Sequence, residues 1–133
     1  MTGAIDLIDS LFREHIPMAI ASSSRPAYIE IVLDTLGLRE KIPVWASGED
    51  VVHGKPAPDI FLLAAKHLGA EPSHCVALED AGPGVVAAKA ADMKVIAVPS
   101  EWTRSHNFAS ADVILPSLEN AAPVVLKLLA DAV

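Results

Sequence analysis

With 133 residues, 52% of them hydrophobic, the chain is long enough for one domain with a real core but short for an enzyme carrying a separate substrate-covering module. A formal charge of −7 excludes the basic stripe that nucleic acid requires and disfavours anionic membrane surfaces. A small phosphorylated metabolite stays open as a partner, because local Lys, Arg and backbone N–H groups override net charge.

Ala4, Ile8, Leu11 and Phe12 recur at helical spacing, and Pro17 ends that first predicted helix. "MAIAS" (18–22) reads as a short apolar strand. "SSSRP" then opens a helix, with Ser24 as the expected N-cap and Pro26 in the first turn. Ile29, Val32, Leu33 and Leu36 form its buried stripe, and Gly37 suits the residue just past its end. "VWAS" (44–47) is the next strand, followed by the polar loop "GEDVVHGKPAPD". A helix with Phe61, Ala64, Ala65 and Leu68 inward stops at Gly69.

"CVAL" (75–78) is a third strand, and it runs into the adjacent acids Glu79 and Asp80. The Ala-rich segment "VVAAKAA" is a helix, with Asp92 at its left-handed end. "KVIAV" (94–98) and "DVILP" (112–116) are strands, and residues 118–133 close the chain as a helix. Short strands apolar on both sides, alternating with amphipathic helices, imply an α/β, three-layer, Rossmann-like and mostly parallel sheet. One irregularity stands out: doubly wound domains ordinarily begin with a strand, and this order begins with a helix.

The single cysteine, Cys75, has no partner for an intramolecular disulfide and suits a buried small hydrophobe. No apolar run approaches the ~18 residues of a membrane span. The opening "MTGAIDLIDSLF" carries acids and no basic leader, so the cytoplasm is the expected compartment.

In an open parallel sheet, ligands bind beyond the carboxyl ends of the strands. Three polar clusters fall there: Ser22-Ser23-Ser24-Arg25, Lys55 in "HGKPAPD", and Glu79-Asp80. Singly, each has a plain structural role as helix cap, solvated surface lysine or helix-start acid. His53 lacks a second ligand at metal spacing and reads as loop surface, and Glu49 and Asp50 read as solvated. Together the three clusters make a site for phosphate and a hard cation. A hydroxyl and N–H groups at a helix N-terminus take phosphate oxygens. A lysine neutralises phosphoryl charge, and two carboxylates suit Mg²⁺.

The runs "MAIASSSRPAYIEIVLDTLGL", "GKPAPDIFLLAAKHLGA" and "CVALEDAGPGVVAAKAADMKVIAVP" resemble the haloacid dehalogenase superfamily, in its β-phosphoglucomutase and sugar-phosphate phosphatase branch. The likeness covers nearly the whole chain, which is expected to be a single partial core domain of that kind over residues 1–133. By that resemblance Ser22 matches a phosphate-binding hydroxyl, with the Ser23 N–H beside it and Arg25 as a further phosphate-side residue. Lys55 matches the lysine of the third motif, the one catalytic residue carried over. Glu79 and Asp80 match the acidic pair that holds Mg²⁺. A response-regulator receiver uses similar groups, but places its acids first and its hydroxyl and lysine later.

The chain departs from the pattern at its start. The family's aspartate-rich first motif, which supplies the nucleophile and the general acid, has no counterpart. Asp6 and Asp9 lie three apart on a helix rather than after a strand. The substrate-selecting cap is missing too, so the core is expected to be truncated at its N-terminus. Asp50, Asp59 and Asp92 do not follow strands at the right place and are not expected to substitute.

The resemblance therefore implies a phosphohydrolase or phosphomutase acting on a small phosphorylated substrate, in kind a sugar phosphate, through Mg²⁺ and an aspartyl-phosphate. This chain alone is expected to be inactive or nearly so, and to hold Mg²⁺ weakly or not at all. The alternative is a non-catalytic protein that binds phosphate or a partner chain. Where the first family strand would lie, the sheet is expected either to close up or to form a homo-oligomer through the exposed edge.

Overall fold

The computed structural model describes residues 3–132. Helix α1 (Ala4–Arg13) is followed by β1 (Ala19–Ser22), α2 (Pro26–Thr35), β2 (Val44–Ser47) and α3 (Asp59–Leu68). Then come β3 (Val76–Glu79), α4 (Gly82–Ala90), β4 (Lys94–Ala97), β5 (Val113–Ile114) and α5 (Ala122–Asp131).

All strand pairings are parallel. β1 runs beside β2 in the register Ala19↔Val44 to Ser22↔Ser47. β3 runs beside β4 from Val76↔Lys94 to Glu79↔Ala97, and β4 carries β5 on its far side through Ile96↔Val113. Helices cover both faces. Ala19, Ala21, Ala46, Ala77, Val95 and Ala97 point to the face packed by α3 and α4. The alternate residues Val76, Leu78, Ile96 and Val98 point to α1 and α5, while Met18, Ile20 and Trp45 meet α2. One face is thus lined almost wholly by alanine, which lets α3 and α4 approach closely. The other carries the larger aliphatic side chains. The expected three-layer α/β architecture holds, with an aliphatic core.

One expectation is corrected. β1 and β3 do not pair, so the sheet has not closed up into β2-β1-β3-β4-β5. Among the described residues it stands as two units, β1-β2 and β3-β4-β5, with an open slot between them. The physical reason lies in the cover: Leu7 and Leu11 of α1 and Val125 of α5 pack over the slot from one side, and Phe61, Ala64 and Ala65 of α3 from the other. The helices on both faces are already seated on one another and on the strands. Sliding β3 against β1 would unseat that packing.

Smaller departures have local causes. Ser24 does not cap α2: its N–H donates to Ser22 Oγ at 3.1 Å, and Arg25 stands at the N-cap position without a side-chain cap. α5 begins at Ala122 rather than 118, because Pro123 is tolerated only in a first turn. Strand β3 starts one residue later than expected, since Cys75 closes the 3₁₀ turn Pro72–His74. β5 shortens to two residues before Pro116. Gly37, Gly69 and Asp92 take left-handed backbone at φ 65°, 70° and 67°, as the helix-end reading required. No helix is long and apolar enough to cross a membrane among the described residues.

The edge strand β5 is pinned chiefly by Asp112, whose main-chain N–H donates to the Val95 carbonyl at 2.9 Å. Its carboxylate accepts from the Val95 N–H at 2.7 Å and from Lys89 Nζ at 3.0 Å. Burial alone would push this carboxyl up. The Val95 N–H, the Lys89 ammonium and the nearby Lys94 charge outweigh it and hold the carboxyl below the usual value. The folded state therefore binds fewer protons, and the stabilisation is full above the unfolded value of about 3.9 and lost as pH falls through the folded one. Asp112→Asn is expected to lower the urea midpoint at pH 7. The gap from the parent chain should close as the pH is taken below about 4; a gap independent of pH would exclude this role.

Candidate phosphate-binding site

β1 and β3 run the same way, and their carboxyl ends meet at one cleft of about 350 Å³, lined by Ser22, Ser23, Lys55, Glu79 and Asp80. Five of the six residues matched by the resemblance are therefore brought together. The sixth, Arg25, is not among the cleft residues: its side chain is 85% exposed and pairs with Glu49 at 3.6 Å.

Lys55 arrives from the long loop between β2 and α3, 24 residues before Glu79 in sequence. Its Nζ donates to Glu79 Oε1 at 2.5 Å and to the Ala21 carbonyl at 3.4 Å, and lies 5.1 Å from the centre of the Phe61 ring. The pair is nearly enclosed, with side-chain exposures of 16% and 9%. Glu79 is held from behind by α4. A Cβ on Gly84 would stand 2.1 Å from the Glu79 carboxyl carbon, so only glycine lets the carboxylate seat against the first turn of that helix. There the helix dipole favours the negative charge.

The serine turn is built by residues that sequence reasoning passed over. Ser47, fully buried at the end of β2, donates from Oγ to the Ser24 carbonyl at 2.7 Å and accepts from the Glu49 N–H at 3.1 Å. Asp50 accepts from the Ser47 N–H at 3.0 Å, which gives Asp50 a structural task away from the cleft. Gly48 passes so close that a Cβ would lie 2.9 Å from the Ser23 carbonyl oxygen. The dipeptide Ser-Gly after an apolar strand is a recognisable turn signal. Nothing in it, however, says which other turn it touches.

Two more residues brace the acidic side. Thr103 Oγ1 donates to the Asp80 carbonyl at 2.5 Å, and His106 Nδ1 accepts from the Gly82 N–H at 3.0 Å. The long loop after β4 thereby holds the turn that carries both acids. Asp59 starts α3 and accepts from the His53 N–H at 3.3 Å, while Asp92 ends α4; neither reaches the cleft. Cys75 donates to the Glu71 carbonyl at 3.3 Å, and burial pushes its thiol up, so it is a structural thiol.

Ser22 Oγ already accepts from the Ser24 N–H, which leaves its own proton to donate into the cleft. A donor hydroxyl, the cleft-lining residue Ser23 and an ammonium face two carboxylates. Such a set recognises a phosphoryl oxygen on one side and a cation on the other. Among the described residues no cluster of three or more His, Cys, Asp or Glu side chains forms a ready-made metal cage. Two carboxylates still match the modest protein donor set that Mg²⁺ takes when phosphate and water complete it.

The fold and site define a parallel α/β domain that gathers a hydroxyl, a lysine and paired acids at the carboxyl ends of its strands. The family model of haloacid dehalogenase-like hydrolases matches residues 1–92, and the chain belongs to that family. It is 44% identical over 119 residues to the bifunctional riboflavin kinase/FMN phosphatase of Arabidopsis thaliana, covering 89% of this chain and 31% of that protein. It is 41% identical to hexitol phosphatase B of Escherichia coli, covering 76% of this chain and 46% of that one. A crystal structure of CbbY from Rhodobacter sphaeroides in complex with phosphate superposes with a TM-score of 0.85 at 36% identity, over 90% of this chain and 55% of that one. The chain thus spans 31% to 55% of the length of these relatives.

Removing the Ser47 hydroxyl should loosen the serine turn and leave the Ser24 carbonyl and Glu49 N–H without that partner. Ser47→Ala is expected to cost about 1–3 kcal/mol of stability in urea unfolding. Crosspeaks of Ser22 to Ser24 should shift in amide NMR spectra; an unchanged midpoint and unchanged shifts would remove Ser47 from this role.

Proposed function

We propose that this chain forms the phosphate- and cation-binding portion of a phosphohydrolase site that takes small phosphorylated substrates, sugar phosphates in kind. The observation that carries the reading is the convergence of Ser22, Ser23, Lys55, Glu79 and Asp80, drawn from three distant stretches, at one cleft beside two parallel strand ends. Family membership and the relatives named hexitol phosphatase B and bifunctional riboflavin kinase/FMN phosphatase support the substrate class.

In this reading the Ser22 hydroxyl and the Ser23 N–H donate to two phosphoryl oxygens near the start of α2, where the helix dipole adds to the attraction. Lys55 donates to a third and offsets the charge that develops as the phosphoryl group transfers. Glu79 and Asp80 would hold Mg²⁺, which supplies charge neutralisation at the phosphoryl oxygens. The acids lining the cleft among the described residues are these two, and Lys55 engages one of them. Neither is free to attack phosphorus while holding a cation. Loss of a covalent nucleophile commonly costs on the order of 10⁶ in turnover, so these 133 residues are expected to bind phosphate without turning it over. Arg25, projecting into solvent, would meet only the outer part of a substrate.

The Lys55–Glu79 pair couples the two halves of the site. Phosphate draws the ammonium away from Glu79, and a cation draws the carboxylate away from Lys55. Each ligand relieves part of the other's competition, so binding should be mutually enhancing, by the same factor in both directions. Calorimetric titration with inorganic phosphate is expected to give tighter binding with Mg²⁺ present, typically about 5-fold or more. Lys55→Met should abolish the phosphate response. Equal affinity with and without Mg²⁺, or phosphate binding that survives Lys55→Met, would overturn the reading. Hydrolysis of p-nitrophenyl phosphate should stay at background; family-like rates sensitive to Lys55→Met would place a nucleophile within this chain after all.

A further inference from the structure

β2 lies outside β1 and β4 outside β3, so the loops that follow these two strands flank the polar cleft. The loop after β2 carries Lys55 into the cleft, and the loop after β4 braces the acids. Each presents a large apolar side chain to solvent. Val52 is 87% exposed and Trp102 83%, while no other large hydrophobic among the described residues exceeds 60%. Single exposed apolar residues are ordinary and by themselves need no explanation. Trp102 differs in how its loop is tied down.

The Thr103 hydroxyl donates to the Asp80 carbonyl at 2.5 Å and accepts from the Ser100 N–H at 2.9 Å. The Thr103 N–H donates to the Ser100 carbonyl at 3.1 Å, and its carbonyl accepts from the His106 N–H at 2.9 Å. The His106 ring in turn accepts from the Gly82 N–H, and stacks at 6.2 Å on the buried Phe108. Gly82 runs so close beneath that a Cβ there would stand 3.2 Å from the Asn107 carbonyl oxygen. Across residues 101–107 only Thr103 is not exposed. The loop is therefore a platform fixed to the acidic turn with its outer side in water. Trp102 is the residue next to Thr103, so its Cα stands about 3.8 Å from that of the residue bonded to Asp80. The core makes little use of its indole. A solvated indole on a fixed loop offers large, rigid contact area at low cost in conformational entropy.

We infer that Trp102 is a positioning residue for the organic part of the substrate, and that this part carries a planar aromatic ring joined to the phosphate through a sugar or polyol. The inference rests on the phosphate reading above. β1 and β4 are separated by the slot and by β3, roughly 10 Å or more at a strand spacing of about 4.8 Å. A phosphoryl group held by Ser22, Ser23 and Lys55 and a group held at Trp102 must therefore be bridged across the acids. The sugar or polyol is that bridge. At its far end an indole face is apolar and offers no acceptor. It stacks well on another planar π system, whereas a sugar hydroxyl laid against it loses water and gains no hydrogen bond. Val52, on the phosphate side, has no such face.

The test titrates the full 133-residue chain, with Mg²⁺ present, against inorganic phosphate, ribose 5-phosphate and adenosine 5′-monophosphate. The last two share a sugar phosphate and differ in the planar base. Adenosine monophosphate is expected to bind about 5-fold or more tightly than ribose 5-phosphate, the order of one base–aromatic stack. It should also quench indole emission. Trp102→Ala should erase both the preference and the quenching, and Trp102→Phe should retain most of the preference. A substitution at so exposed a position leaves the fold intact, which an unchanged Tm checks.

Equal affinity for the two esters, with both bound, would overturn the role of Trp102 and leave the phosphate reading standing. A preference for the base that survives Trp102→Ala would place the ring elsewhere and overturn it as well. Failure of all three probes to bind would overturn the phosphate reading itself, and this inference with it.

Discussion

The buried contact between Lys55 and Glu79 joins what the backbone leaves apart. β1-β2 and β3-β4-β5 share no strand pairing, yet Lys55 reaches the Ala21 carbonyl on one unit and the Glu79 carboxylate on the other. A charge pair this enclosed is sustained by geometry: leaving either partner alone in an apolar setting is strongly unfavourable. Glu79 has its second support in α4, where Gly84 lets it sit against the helix start. Lys55 has its own over the Phe61 ring of α3. The fold around the slot therefore depends on a contact that is also the centre of the proposed site, and ligands that pull on one end of it act on both.

The two faces of the sheet divide the work. The alanine-lined face lets α3 and α4 lie close, and these are the helices that bring Phe61 and Gly84 against the ion pair. The opposite face, with Val76, Leu78, Ile96 and Val98 under α1 and α5, supplies the larger share of aliphatic bulk. Between them the slot keeps the strand spacing open, because both covers are complete without it. An apolar slot of about 540 Å³ sits poorly with the close packing of ordinary interiors.

Much of this was legible in the chain. Apolar runs four residues long, separated by helical stripes with Gly37, Gly69 and Asp92 at their ends, already specify parallel strands and helix stops. The placement of Ser22 and Glu79-Asp80 at the carboxyl ends of strands, and of Lys55 in the loop that follows one, was enough to assemble the cleft. Local chemistry misled at Ser24, which looks like an N-cap but spends its N–H on Ser22 and its carbonyl on Ser47. Pro123 was the readable signal for the later start of α5, and the apolar residues before it obscured that.

The sequence by itself determined the order of elements, the both-faces-apolar strands and the residue types at the site, because periodicity and turn chemistry act over a few residues and leave a local trace. Only the tertiary structure decided that Lys55 pairs with Glu79, that Arg25 turns away to Glu49, and that Ser47, Gly48, Gly84 and Thr103 hold the turns in place. It also decided that β1 and β3 stay apart. Each of these is a contact between segments distant in sequence. Such contacts are set by how helices of given girth settle over a sheet, and no short stretch of residues encodes that distance.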